Sequence, residues 1–401
     1  MTTWSQRLDN PVSEQLRNPA TTGYVAIGLG AFAAFLAIPP VEARSPAWPI
    51  AVGILAVALG IWTATRGRQR LGWGAAVGGL LGIGLGILAT RSGTGNLETV
   101  FDATLIDQTF GLATPLIFGA IAGMFSERSG VINIGLEGMM LMGAFWGVYG
   151  SDKGGTWVLG LLIGMASGGV LALIYAYFAI HLRADQIVGG TAVNFLALGI
   201  TGYFFQQFYN GQVSGNPSTI PNLHISGLGH FLENSIGNLS LLTWASFLLV
   251  IVAYVVLFKT PIGLRIRACG EHPRAADTVG INVYLVRYCC VALSGLLVAA
   301  GGVYLSLGPQ GNGTFIFNMT SGKGFIALAA MIFGNWRPAG AFAAAVLFGF
   351  SSALALKLQI YSPQASTLFQ VLPYVLTLVA VAGVIGRTVA PAADGKPYAK
   401  Q

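Results

Sequence analysis

Of the 401 residues, 14 are Asp or Glu and four are His, so any chemistry here must be built from few groups. A phosphate-binding loop needs Gly-x-x-x-x-Gly-Lys-[Ser/Thr], whose backbone N–H groups cradle phosphates while the hydroxyl meets Mg²⁺. Gly322-Lys323-Gly324 lacks both the upstream Gly and the following hydroxyl. There is no His-Glu-x-x-His, and Cys269, Cys289 and Cys290 form no Cys-x-x-Cys. No metal site or disulfide framework is therefore expected, and the cysteines read as small apolar residues. Two acids stand in apolar stretches, Asp107 and Glu137, the latter in Asn133-Ile-Gly-Leu-Glu-Gly-Met-Met140. A charge at a bilayer centre costs at least ~2.5–3.5 kcal/mol, so such residues usually have a task. Asp107 lies near enough to an apolar run's end to be solvated. Glu137, bracketed by Gly135 and Gly138, marks a helix break or tight packing. It caps a half-helix, pairs with Arg128, or stands on a permeation path.

The elements that position these groups follow from composition. Hydrophobic residues make up 54% of the chain and charged residues 9%, against about 25% charged in soluble domains. So few charges cannot cover a water-facing surface, and lipid must be the solvent. The 56 glycines suit helices that approach closely in a bilayer. A span needs about 20 mostly apolar residues. Such runs lie near 21–40, 47–65, 71–90, 104–125, 132–150, 156–180, 187–207, 241–258, 285–307, 324–335, 338–356 and 368–386. The tenth is short and the fifth contains Glu137, so either is a candidate half-helix, and the count is 10–12. The expectation is an all-α integral membrane protein, a polytopic helical bundle.

A net charge of +7 would suggest nucleic acid in a soluble protein,. Here the cations flank apolar runs, so membrane lipid is the expected partner and nucleic acid is not. With a cytoplasmic N-terminus, sixteen of the 21 Lys and Arg fall inside, leaving Arg44, Arg91, Lys153, Lys323 and Lys357 outside. The positive-inside rule selects that orientation, and an even span count returns the C-terminus to the cytoplasm. Residues 1–100 are expected to hold an N-terminal segment and accessory spans, 101–390 the core, and 391–401 a cytoplasmic tail. The N-terminal polar stretch, with Arg7 and Arg17, does not read as a cleavable signal,.

The core contains an outer loop at about 209–240 and a cytoplasmic loop at 259–284. In the latter, Gly270-Glu-His-Pro-Arg-Ala-Ala-Asp-Thr-Val-Gly280 predicts a short helix. Pro273 opens it, where a missing N–H costs nothing, and Gly280 ends it. Ala275 and Ala276 give it a small face and basic residues surround it, which suits docking into a partner's groove. An incidental helix in a basic loop is the alternative.

That loop resembles the coupling segment of ABC importer permeases, Glu-Ala-Ala-x-x-x-Gly, with Arg274 in place of the Glu. Ser126-Glu-Arg-Ser-Gly-Val-Ile-Asn-Ile-Gly-Leu-Glu-Gly-Met-Met140 resembles the permeases of the nucleoside and simple-sugar subfamily, which work with a basic-membrane-protein-type lipoprotein receptor. Ala184-Asp-Gln-Ile-Val-Gly-Gly-Thr-Ala-Val-Asn-Phe-Leu-Ala-Leu-Gly199, Gly270-Glu-His-Pro-Arg-Ala-Ala276 and Ala390-Pro-Ala-Ala-Asp-Gly-Lys-Pro-Tyr398 are similar to the same group. The resemblance implies a non-catalytic permease of a nucleoside or simple-sugar importer. It implies a second permease subunit, cytoplasmic ATP-binding subunits that bind the ATP, an extracytoplasmic lipoprotein receptor docking on 209–240, and no cofactor here. Gly270, Glu271, Pro273, Arg274, Ala275, Ala276 and Gly280 would couple to the ATPase.

Asn133, Glu137, Gln186, Thr191 and Asn194 are the candidate translocation-path residues, although Asn and Thr equally often bond between helices. Phe204, Phe205, Phe208 and Tyr209 read as interfacial belt or as a stacking surface for a base. His181 and His272 read as surface residues. Two rivals stay open: an ion-coupled transporter using Glu137 or Asp107, and an intramembrane enzyme needing converging acids such as Glu127 and Asp185.

Overall fold

The computed structural model describes residues 19–37, 47–91, 102–212, 216–225, 227, 233, 235–361 and 389–399. The chain divides into two compact units, 1–105 with 354–387, and 106–353 with 388–401. The tail thus belongs to the larger unit.

In the first unit, α1 (Pro19–Ala37), α2 (Ala47–Thr65) and α3 (Gln69–Arg91) pack through glycines. A Cβ on Gly72 would lie 2.4 Å from the Ala64 nitrogen and the Gly60 oxygen, so backbone meets backbone there. Lys357 pairs with Asp102 at 2.9 Å.

The second unit is built on α4 (Ala103–Arg128), α5 (Leu136–Gly154), α6 (Trp157–Ala176, extended by a π turn to His181), α7 (Gln186–Tyr209), α8 (Leu241–Lys259), α9 (Pro261–Glu271), α10 (Pro273–Thr278), α11 (Val283–Leu307), α12 (Lys323–Phe333) and α13 (Pro338–Tyr361). Polar side chains cap the helix starts, satisfying N–H groups that no helix can pair internally. Thr156, Asp185, Ser240, Thr260 and Asn282 do so for α6, α7, α8, α9 and α11. The core forms where α11 is clasped by α5 and α6. A Cβ on Gly143 would lie 2.2 Å from the Ala299 oxygen, and one on Gly295 2.3 Å from the Ala172 Cβ. Small residues set these distances, as expected where lipid provides no hydrophobic drive between helices.

Among the described residues, six helices are long and apolar enough to cross a membrane: Ala103–Arg128, Trp157–His181, Gln186–Tyr209, Leu241–Lys259, Val283–Leu307 and Pro338–Gln359. The protein is a multi-pass membrane protein. The twelfth expected run, 368–386, lies outside the described residues. The fifth run begins as non-helical backbone over 129–135, and α5 starts only at Leu136. The tenth is α12, 11 residues long, which rises about 16 Å, half a hydrocarbon core.

The loop at about 209–240 is held close to the helices at its described residues. Ser151 Oγ donates to the Ser218 oxygen at 2.8 Å, and the Ile220 N–H donates to the Leu307 oxygen at 2.9 Å. The Leu223 and Ile225 N–H groups donate to Leu239 and Gly237, so the loop folds back on itself beside the Asn222–Ser240 bridge.

Candidate functional site

Buried backbone outside a helix must have its N–H and C=O groups satisfied by protein or water. The 129–135 segment shows how this sequence does so. Gln186 Oε1 accepts from the Ile132 N–H at 2.8 Å, and the Tyr175 hydroxyl donates to the Ile132 oxygen. Asn194 bridges the break, its Nδ2 donating to the Ile134 oxygen at 3.0 Å and its Oδ1 accepting from the Gly138 N–H at 2.8 Å. Asn133 Nδ2 donates to Ser294 Oγ at 3.1 Å, while its buried Oδ1 has no hydrogen-bond partner.

Glu137 sits where this segment becomes α5. Its Oε1 accepts from the Gly322 N–H at 2.7 Å and its Oε2 from the Gly324 N–H at 2.6 Å. A carboxylate held between N–H groups at a helix N-terminus also meets the positive end of the helix dipole. Gly324 makes this approach possible, since a Cβ there would lie 2.5 Å from the Glu137 Cα. Lys323 heads α12 beside this carboxylate. Arg128 instead donates to the Trp336 oxygen at 2.9 Å.

Asn133, Glu137, Gln186 and Asn194 therefore converge on the helix break. Thr191 does not: it is exposed, and its hydroxyl bonds the Ile187 carbonyl one turn back at 2.8 Å. Phe205 and Tyr209 are buried against Phe145 and Phe315, whereas Phe204 and Phe208 stack on each other with centroids 5.1 Å apart. Asp107 is half-buried, and His181 and His272 are exposed.

A second cluster gathers around α10. Pro273 opens the helix, and Gly280 at φ +85 reverses the chain beyond it. Arg274 and Ala275 are exposed, but Ala276 is 3% exposed and packs with Cys269, Val283 and Tyr398. The expected Ala275–Ala276 face is therefore divided, one residue outward and one inward. Val279, 74% exposed, shares the outward face four residues after Ala275. A Cβ on Gly270 would lie 2.2 Å from the Arg128 oxygen, which fixes α9 against the end of α4.

The tail completes this cluster, a role its composition does not signal. Its Ala393 N–H donates to the Gly270 oxygen at 2.9 Å, and its Ala392 N–H donates to Glu271 Oε2 at 3.1 Å. Arg287, only 2% exposed, donates from Nε to the Ser129 oxygen at 3.1 Å and from Nη1 to the Lys396 oxygen at 3.2 Å. Asp394 is pushed up to about 7 by burial, partly offset by hydrogen bonds from Glu127 and the Gly395 N–H and by the Arg287 charge. Glu127 in turn accepts from Trp336 Nε1 at 2.6 Å. Glu127 and Asp185 do not form an acid pair: Asp185 caps α7. Among the described residues no group of His, Cys, Asp and Glu is placed to hold a metal.

Spanning helices, a helix break held by buried amides and an exposed helix braced on the membrane domain define a permease. The family described as branched-chain amino acid transport system / permease component matches residues 105–381, and the chain belongs to it. It is 44% identical to the guanosine ABC transporter permease protein NupQ of Bacillus subtilis over 76% of this chain and 97% of that one. It is 39% identical to the nucleoside ABC transporter permease protein NupC of Lactococcus lactis, over 72% and 94%. It is 34% identical to the putative glucose ABC transporter permease protein TsgC13 of Haloferax volcanii, over 65% and 79%. No solved structure matches.

Proposed function

We propose that this chain is the membrane-spanning permease subunit of an ATP-driven importer that carries a nucleoside. The observation that carries the reading is the extent of likeness to NupQ, which covers nearly all of that permease. The chain forms one part of an alternating-access path with a second permease subunit. Cytoplasmic ATP-binding subunits bind and hydrolyse the ATP, and an extracytoplasmic lipoprotein receptor delivers cargo to the 209–240 loop.

The coupling segment is Gly270, Glu271, Pro273, Arg274, Ala275, Ala276 and Gly280, with distinct tasks. Arg274 and Ala275 meet the ATPase, Ala276 and Gly270 fix the segment to the membrane domain, and Pro273 and Gly280 delimit the helix. Motion of α10 passes through α9 to α4 and to the break at 129–135. Glu137 and Asn194 hold that break and the N-terminus of α12, so the path changes shape there. Asn133, Gln186 and Thr191 are the further polar groups assigned to it.

Uptake of labelled guanosine by cells lacking this gene, with and without the chain restored, tests the reading. Restored uptake that unlabelled nucleosides suppress is the expected result. A second reading, simple-sugar transport, is favoured by the likeness to TsgC13, and glucose uptake restored in place of guanosine would establish it. Guanosine uptake that survives ATP depletion and collapses with the proton gradient would contradict both.

A further inference from the structure

The tail does more than stabilise α9. A cleft of about 560 Å³ opens between Glu271–Ala275 on one side and Ala392, Ala393 and Lys396–Ala399 on the other. We propose that the C-terminal segment Ala392–Ala399 is the second wall of the ATPase docking site, and that an acidic surface of the ATP-binding subunit seats between it and α10. This inference rests on the coupling reading and adds a contact to it.

Three observations carry it. First, the wall is rigidly placed: Tyr398 is 6% exposed beside Cys269 and Ala276, and the Tyr284 hydroxyl donates to its carbonyl oxygen at 3.3 Å. The bonds from Arg287 and to Gly270 tie the tail to α11 and α9. Secondly, the charges lining the cleft are unequal in number. One carboxylate, Glu271, which accepts from the Ala392 N–H at 3.1 Å, stands against the cations Arg274 and Lys396. Arg274 and Lys396 are exposed, and Lys396 Nζ donates to the uncharged Ala392 carbonyl at 2.7 Å. The lining thus carries a formal net charge of +1 with His272 neutral, which favours an acidic partner,. Thirdly, the outward residues are small or apolar, Ala275, Val279, Ala392, Pro397 and Ala399, which allows close approach around a charged rim.

The test uses the complex purified from native membranes through a tag on this chain. A cysteine is placed by Ala399→Cys in a Cys289→Ser background, because Cys289 is exposed while Cys269 and Cys290 are buried. Maleimide labelling is compared in the intact complex and after the ATP-binding subunits are stripped with urea. Labelling should be at least about fivefold slower in the complex, as in a water-excluding contact. Lys396→Glu should lower the ATP-binding subunit retained by about tenfold near physiological salt, with the chain's elution unchanged. Equal labelling rates, with Ala275→Arg still releasing the ATPase, would overturn the tail contact and leave the coupling reading intact. If neither Ala275→Arg nor Lys396→Glu affects retention, both fall. Slowed labelling of the stripped chain by ATP alone would make the cleft a nucleotide site and overturn the proposal.

Discussion

Glu137→Ala removes both acceptors that hold the N-terminus of α12. The Gly322 and Gly324 N–H groups, bonded at 2.7 and 2.6 Å, then lose their partners. Gly324 is buried and Gly322 half-buried. An unsatisfied buried donor costs ~1–3 kcal/mol, and loss of the carboxylate also removes its attraction to the helix dipole. A total of about 3 kcal/mol follows, because water reaches Gly322 in part. At roughly 2 °C per kcal/mol for a long chain, the detergent-solubilised protein should melt about 6 °C lower. Glu137→Gln keeps one accepting oxygen but turns an amide N–H₂ toward the other donor, so it should fall between wild type and Glu137→Ala. Fluorescence-detected thermal unfolding in detergent reads the series. If Glu137 served only to touch cargo, KM would change and the melting temperature would not. A Glu137→Ala protein melting within about 1 °C of wild type would refute the capping argument.

The remaining predictions concern the supports of the break and the tail. Gly324→Ala should destabilise by about 1–3 kcal/mol through overpacking, read as reduced monodisperse protein after extraction, since its Cβ meets the Glu137 Cα at 2.5 Å. Asn194→Ala should cost roughly 2–4 kcal/mol by stranding the Ile134 carbonyl and the Gly138 N–H,, with Asn194→Asp restoring only the latter. Asp394, held at about 7 in the folded chain against 3.8 ordinarily, favours the folded tail while protonated. That stability is full below about pH 4 and is lost as pH rises through about 7. Protease cleavage of the tail should therefore quicken from pH 5 to 8, and Asp394→Asn should flatten the profile. The purified chain alone should hydrolyse no ATP, and a clean preparation with measurable turnover would contradict the non-catalytic assignment.

The long helices were legible because a bilayer imposes a fixed ruler on apolar runs. The ends of α10 were legible too, since Pro273 and Gly280 act on their own backbone. What escaped depends on distant partners. Gly135 and Gly138 mark a break near Glu137, yet the groups it caps lie 185 and 187 residues away. Ala275 and Ala276 are chemically identical, and only the packing of Tyr398 against Ala276 separates outward from inward. Arg287 counted as one more cytoplasmic cation, but the structure buries it to hold Ser129 and Lys396. The tail's composition reads as a solvated end, because hydrogen bonds to backbone carbonyls leave no mark on residue type.

The central claim is that α10 engages an ATP-binding subunit. The most direct measurement is affinity purification through a tag on this chain, comparing wild type with Ala275→Arg. Ala276 is left unchanged, because it is 3% exposed and a charge there would disrupt folding. Wild type should bring down an ATP-hydrolysing subunit in mild detergent, and Ala275→Arg should lose it while eluting as the same monodisperse species. Wild-type protein of normal stability that retains no ATPase, or an Ala275→Arg variant that retains it fully, would contradict the account.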